Sequence, residues 1–188
     1  MFGIALHKEH EKVTGSDSYK YVEPLIMKGK EICIVSPYVD SYYANFLSRN
    51  SDGRRIYLIS SSMDKEAEKI LGRKFSLIRF IIFIILSAAE LYAGVFFGLY
   101  VYTFIAVALT LLVGYFASIV GNKNIHIVMP KKFVHAKMYI SENEAIAGSA
   151  NLTYRGMHKN VEIIEIMRDS DSINSMQKTF WKMWKEYS

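Results

Sequence analysis

His135, Lys137, Gly148, Ser149 and Asn151 place an imidazole, an ammonium, a hydroxyl and a carboxamide within one short stretch of the chain. Val134 to Ser141 reads as a strand, because apolar residues recur there with a period of two and strand side chains repeat every second position. His135, Lys137 and Tyr139 then share a face. Glu142-Asn143-Glu144 is a polar break suited to a turn, and Ala145 to Ala147 resumes an apolar run that ends at Gly148-Ser149. A hairpin of this kind returns Ser149 and Asn151 to the side of His135. The pocket so formed offers a nucleophile or proton carrier, a fixed cation and two neutral hydrogen-bond groups, a set suited to phosphate. It carries no carboxylate cluster for Mg²⁺ and no Cys/His set for Zn²⁺, so neither a metal nor another cofactor is expected. Charge developing on a phosphoryl group would be met by Lys137 and amide donors.

A lone His-x-Lys pair arises often by chance, and a surface hairpin with incidental polar residues is the plain alternative. Joined to Gly148-Ser149-x-Asn151 and to Asn160-x-Glu162, the pattern is far more specific. The stretch resembles the HxK...GSxN signature of the phospholipase D superfamily, the HKD motif. Upstream, Glu31 to Asp40 resembles the first core strand and turn of that family, and Arg54 to Ser61 its second strand. One departure is Glu142, which stands where the family has Asp, with a gap to Gly148 one residue shorter than usual.

The resemblance implies a two-step mechanism. One His attacks phosphorus to give a phosphohistidine, a second His from another motif copy protonates the leaving oxygen, and water or an alcohol releases the product. By the same resemblance Lys137 and Asn151 bind phosphate oxygens beside Gly148 and Ser149, and Glu162 orients an imidazole. Two copies of the motif are needed, and His7, His10, His126 and His158 lack the downstream context. A two-fold homodimer that brings His135 to His135 of the second chain is the simple solution.

Between Phe80 and Gly121 the only formally charged residue is Glu90. As one helix this stretch would be roughly 60 Å long at about 1.5 Å per residue, against a hydrocarbon core of about 30 Å. Two crossings are therefore expected, near Ser76 to Ala93 and Leu99 to Ile119, with a turn around Gly94 to Gly98. Tyr92, Phe96, Phe97, Tyr100 and Tyr102 would then lie at the far interface, with Glu90 close to it. Lys69, Arg73, Lys74 and Arg79 precede the hairpin and Lys123, Lys131 and Lys132 follow it, which assigns the catalytic side to the cytoplasm. The single Cys33 fits a reducing compartment. A buried soluble helical hairpin is the alternative.

The expected domain organisation is 1–74 and 122–188 as two halves of one phospholipase D-like domain, with 75–121 as the inserted transmembrane hairpin. Outside the insertion roughly 140 residues remain, enough for one core. Helices are expected at Ser18 to Lys28, Tyr42 to Arg49, Asp64 to Leu71 and Ser170 to Tyr187. Strands are expected at Ile32 to Val35, Ile56 to Ile59, Ile125 to Val128 and Val161 to Met167. Their alternation points to an α/β sandwich around a mixed sheet. The aromatic face of the last helix, Phe180, Trp181, Trp184 and Tyr187, reads as core packing or a membrane-facing ridge before a nucleic-acid surface. His7-Lys8-Glu9-His10 reads as a solvated arm before a metal site.

Three functions remain open from sequence: a membrane-bound enzyme that hydrolyses or transfers phospholipid headgroups, a membrane-tethered endonuclease, and an anchored scaffold with a dead site. The net charge of +5 favours any anionic partner without selecting nucleic acid over the bilayer.

Overall fold

The computed structural model describes residues 9–72, 74–120 and 124–188. His7, Lys8, Arg73, Gly121 and Lys123, used in the sequence reading above, lie outside the described residues. The chain divides into two compact units, Met1–Leu71 with Asn122–Ser188, and Gly72–Gly121.

The first unit runs β1 (His10–Gly15), α1 (Tyr19–Lys28), β2 (Glu31–Val35), β3 (Tyr38–Val39), α2 (Ser41–Arg49), β4 (Arg55–Ile59), β5 (Ser62–Met63) and α3 (Lys65–Leu71). The second holds β6 (Lys74–Phe75), α4 (Leu77–Phe97), α5 (Tyr100–Ser118) and β7 (Ile119–Val120). The chain then resumes the first unit with β8 (Ile125–Val128), β9 (Met138–Ile140), β10 (Ala145–Gly148), α6 (Tyr154–His158), β11 (Glu162–Met167) and α7 (Ser170–Tyr187).

Seven strands form one mixed sheet in the order β1-β11-β10-β9-β2-β4-β8. The β2, β4 and β8 strands are parallel neighbours, while β2-β9, β9-β10, β10-β11 and β11-β1 pair antiparallel. Alternation along each strand feeds two cores. On one face Ile32, Ile34, Ile56, Leu58, Tyr139, Ile146, Ile164 and Ile166 meet Val22, Leu25 and Ile26 of α1, Tyr43 and Leu47 of α2, Leu71 of α3 and Met157 of α6. On the other, Cys33, Val35, Ile59, Met138 and Ile140 meet Ile173 and Phe180 of α7, with Trp184 and Tyr187 packed alongside. Of the aromatic face of α7, Phe180, Trp184 and Tyr187 are thus core packing, while Trp181 is exposed. The architecture is an α/β sandwich around a mixed sheet, as the alternating elements imply. Burial pushes the Cys33 thiol up to about 12, leaving it protonated and inert.

Two elements depart from the sequence reading. His10, the last residue of the stretch read as a solvated arm, opens β1, an edge strand, and its ring lies 3.2 Å from Glu165 and 2.9 Å from Asp169. The strand expected over Val134 to Ser141 is limited to Met138–Ile140. Its neighbour β2 stops at Val35, opposite Met138, before Pro37, which has no N–H to extend a ladder.

In the second unit α4 and α5 are the two helices, among the described residues, long and apolar enough to cross a membrane. Only 11% and 17% of their apolar windows are buried, whereas a soluble core helix hides most of its surface. Small and polar residues face inward: Ser87, Gly94, Thr103, Gly114 and Ser118 are buried while Ile82, Leu86, Phe96, Phe104 and Leu112 are exposed. Thr110 donates to Glu90 at 2.8 Å across the pair. The first helix runs further than expected, to Phe97 rather than Ala93, and the chain turns at Gly98, which adopts the left-handed φ of 68° that glycine tolerates.

Candidate active site

The site forms where β9, β10 and β11 lie side by side. His135 and Lys137 precede β9 in extended chain that Ser61 holds in place of a ladder: Ser61 Oγ accepts from Val134 N–H at 2.8 Å and donates to Val134 O at 3.3 Å. Beyond, Gly148 N–H donates to Lys137 O at 3.3 Å. The expected alternation persists. His135 is exposed, Lys137 is buried, and Tyr139 on the same side reaches the core, where its hydroxyl donates to Ala150 O at 2.8 Å.

Lys137 Nζ lies 3.2 Å from each ring nitrogen of His135 and donates to His135 O at 2.8 Å. Burial pulls the Lys137 pKa below its ordinary value, and the Glu162 carboxylate pulls the other way. That carboxylate is itself buried. Ser149 Oγ donates to Glu162 Oε2, and Asn160 Nδ2 donates to Glu162 Oε1 at 3.2 Å. Ile163 N–H donates to Ser149 Oγ at 3.0 Å. Within one chain Glu162 therefore orients Ser149 and Asn160, with no hydrogen bond to an imidazole among the described residues.

Gly148 is required by close approach. A Cβ there would overlap the Ile163 carbonyl oxygen and lie 2.8 Å from Ile164 Cα. Asn151 follows on the turn out of β10, with its Oδ1 buried and without a hydrogen-bond partner among the described residues. A buried acceptor left open costs free energy, which fits a side chain prepared for a ligand. The turn itself is fastened from β2 and α2. Leu152 N–H donates to Ser36 Oγ at 2.8 Å, and Tyr154 N–H donates to Asp40 Oδ2 at 2.6 Å.

The structure thus brings His135, Lys137, Gly148, Ser149, Asn151, Asn160 and Glu162 to one end of three adjacent strands. Glu142 stands apart from them. Its carboxylate accepts from Lys30 N–H at 2.9 Å and Glu31 N–H at 2.7 Å, and so fastens the β9–β10 turn to the start of β2. Ser36, Asp40 and Ser61 support the site without a local sequence signal, except that Asp40 also caps α2 through Tyr43 N–H. Tyr38 meets Phe133 at a tilt with ring centroids 5.8 Å apart, and Phe133 meets His135 likewise at 6.1 Å, an aromatic lip beside the imidazole, whereas Tyr43 is buried. Among the described residues no group of three or more His, Cys, Asp or Glu side chains is placed to hold a metal.

The fold has relatives. Residues 109–184 match the family model described as the phospholipase D-like domain of cardiolipin synthase. Nuc from Salmonella typhimurium, a phospholipase D family member, superposes with a TM-score of 0.54 at 15% identity, over 96% of this chain and 97% of that one. The fold is that of the phospholipase D superfamily. NucT from Helicobacter pylori gives a TM-score of 0.56 at 12% identity, over 94% and 95% of the two chains. Phosphatidylserine synthase from Haemophilus influenzae gives 0.52 at 13% identity, and this chain spans only 39% of its length. No curated protein sequence matches. At these identities the solved structures speak for the fold of the phospholipase D-like unit alone.

Proposed function

We propose that this protein is a membrane-anchored phosphodiesterase that hydrolyses or transfers phospholipid headgroups at the cytoplasmic face. The observation that carries the reading is the apolar hairpin inserted into a phospholipase D-like fold, with its lipid-compatible surface outward. The match to a domain named for cardiolipin synthase supports the same substrate class.

In the proposed reaction one His135 nitrogen attacks phosphorus and the bond to the headgroup oxygen breaks, leaving a phosphohistidine. The proton for that oxygen comes from His135 of a second copy, so the working unit is a homodimer. Water or an acceptor alcohol then attacks phosphorus, returns its proton to the second imidazole and frees His135. Lys137 and Asn151 hold the non-bridging oxygens, and the backbone at Gly148 and Ser149 borders them. Glu162 acts through Ser149 and Asn160, with an imidazole of the second copy within its remit.

A second reading, cleavage of nucleic acid, draws on the net charge of +5. Detergent-solubilised protein and His135→Ala, each incubated with mixed phospholipids and with single-stranded DNA and RNA, separate the two. Headgroup release by the unmutated protein alone is expected. Cleavage confined to nucleic acid would overturn the lipid reading, and the absence of a trapped phosphohistidine with every substrate would leave a scaffold. Mixing His135→Ala chains into unmutated dimers should depress activity beyond dilution.

A further inference from the structure

His158 lies outside the motif, yet four tyrosine rings and a carboxylate gather around it. Its ring stacks on Tyr19 at 4.2 Å and on Tyr154 at 4.7 Å, with interplanar angles of 23° and 24°. Tyr42 meets it edge-on at 5.7 Å, and Tyr43 stacks further off at 6.3 Å. Nε2 lies 3.2 Å from the Tyr43 hydroxyl and 3.6 Å from Glu23 Oε1, and Tyr43 in turn donates to Glu23 at 2.9 Å. Burial, with Glu23 beside it, raises the Tyr43 pKa far above the phenol range, so that hydroxyl keeps its proton and acts as a fixed donor to the carboxylate. Three elements therefore meet at one imidazole: α1 through Tyr19 and Glu23, α2 through Tyr42 and Tyr43, and α6 through Tyr154 and His158 itself.

The segment that His158 ties down runs from Asn151 to Glu162. Its front half is already held, by Ser36 at Leu152, by Asp40 at Tyr154 and by the Val39–Leu152 bridge. Its back half leads to Asn160 and Glu162. There, the Lys159 and Asn160 N–H groups donate to Arg155 O of their own turn, Met157 supplies apolar burial, and the β11 ladder takes hold at Glu162. His158 adds the polar, directional tie. We propose that His158 is a positioning residue: by clamping α6 to Glu23 and Tyr43, it sets where Asn160 meets the Glu162 carboxylate, and hence how that carboxylate is presented to Ser149 and Lys137. The inference rests on the phosphodiesterase reading for its kinetic consequence, while its structural consequence is independent of it.

The test uses full-length protein in detergent, with bis(p-nitrophenyl) phosphate as a small phosphodiester and amide hydrogen exchange read segment by segment. His158→Ala should speed exchange across 155–162 at least tenfold more than elsewhere in the unit, and lower kcat at least tenfold with KM changed less than twofold. His158→Gln, which offers an amide donor near the Nε2 position, should recover kcat to within about threefold of the unmutated protein. His158→Phe keeps the ring stack without the donor and should not recover it. Unchanged exchange and unchanged kcat in His158→Ala would overturn the proposal. So would uniform loosening of the whole unit with no recovery by Gln, since that is the behaviour of a packing residue. If exchange responds as expected but the unmutated protein turns over neither this diester nor phospholipid, the clamp stands and the proposed reaction fails.

Discussion

Gly148→Ala tests whether the site depends on the close approach of β10 and β11. The new methyl would sit 2.8 Å from Ile164 Cα and overlap the Ile163 carbonyl oxygen, where carbon pairs are at ease at about 3.5–4.0 Å. Both obstacles are backbone, so no rotamer change relieves them, and the strands must part by about 1 Å. Overpacking of this kind costs about 1–3 kcal/mol. The Ser149 N–H to Ile163 O bond, 3.0 Å long and adjacent to the clash, adds about 1 kcal/mol when lost. A total of about 2–4 kcal/mol lowers the thermal midpoint by about 5–15 °C in a unit of this size. The larger effect is on chemistry. Ser149 Oγ accepts from Ile163 N–H and donates to Glu162, so a shift of about 1 Å there should reduce kcat about a hundredfold. Thermal unfolding followed by circular dichroism, together with headgroup-release kinetics below the new midpoint, reads both effects. A Gly148→Ala protein with unmutated melting and kcat would refute the claim that backbone proximity positions the site.

Ser149→Ala, Glu162→Gln and the double variant should show a coupling of about 1.5–3 kcal/mol in unfolding free energy, the range for a hydrogen bond to a buried charge; additive effects would mean that the contact contributes nothing. For Lys137 the sign is fixed by its lowered pKa. The unfolded chain binds this proton more tightly than the folded one, so stability should rise with pH between the folded value and the ordinary 10.5. That slope should vanish in Lys137→Met and, because Glu162 opposes the shift, extend to lower pH in Glu162→Gln. Glu142→Ala removes the acceptor of two backbone N–H groups at a solvent-exposed site, and should cost about 1 kcal/mol while leaving kcat within about threefold.

Most of the sandwich was legible because its elements are long and periodic. The strand Ile125–Val128 and the helix Ser170–Tyr187 lie where patterning placed them. The strand β1 escaped notice because an edge strand need not alternate strongly, and in His10–Gly15 Val13 is the only residue packed on the core. Helix α6 is five residues long and contains a glycine, too short for a helical period to register. At the site, the chemical groups announced themselves by type and spacing, but their supports did not. Ser36, Asp40 and Ser61 lie far from the motif in sequence and carry ordinary polar side chains. Their importance comes from where the fold puts them, opposite backbone N–H groups that lie outside the main sheet ladder.

The position of the insertion has a physical explanation of its own. The chain leaves β4 through α3, passes the hairpin and returns as β8, the parallel neighbour of β4. A parallel pair always needs a long crossover, so this is a place where extra chain can be added without disturbing any tight turn. The hairpin also closes on itself. Lys74–Phe75 pairs antiparallel with Ile119–Val120, and Ser76 N–H donates to Ser118 O at 2.7 Å. Its entry and exit are therefore about one strand spacing apart, about 5 Å. A closed insertion of this kind places little demand on the sheet, because the entropy of joining its ends is met inside the second unit by its own helix packing and ladder. The proposed anchoring and the proposed catalysis can then be specified by separate residues: Ser87, Glu90, Gly94, Thr103 and Thr110 lie between the hairpin helices, and none of them belongs to the strands that assemble His135 with Glu162.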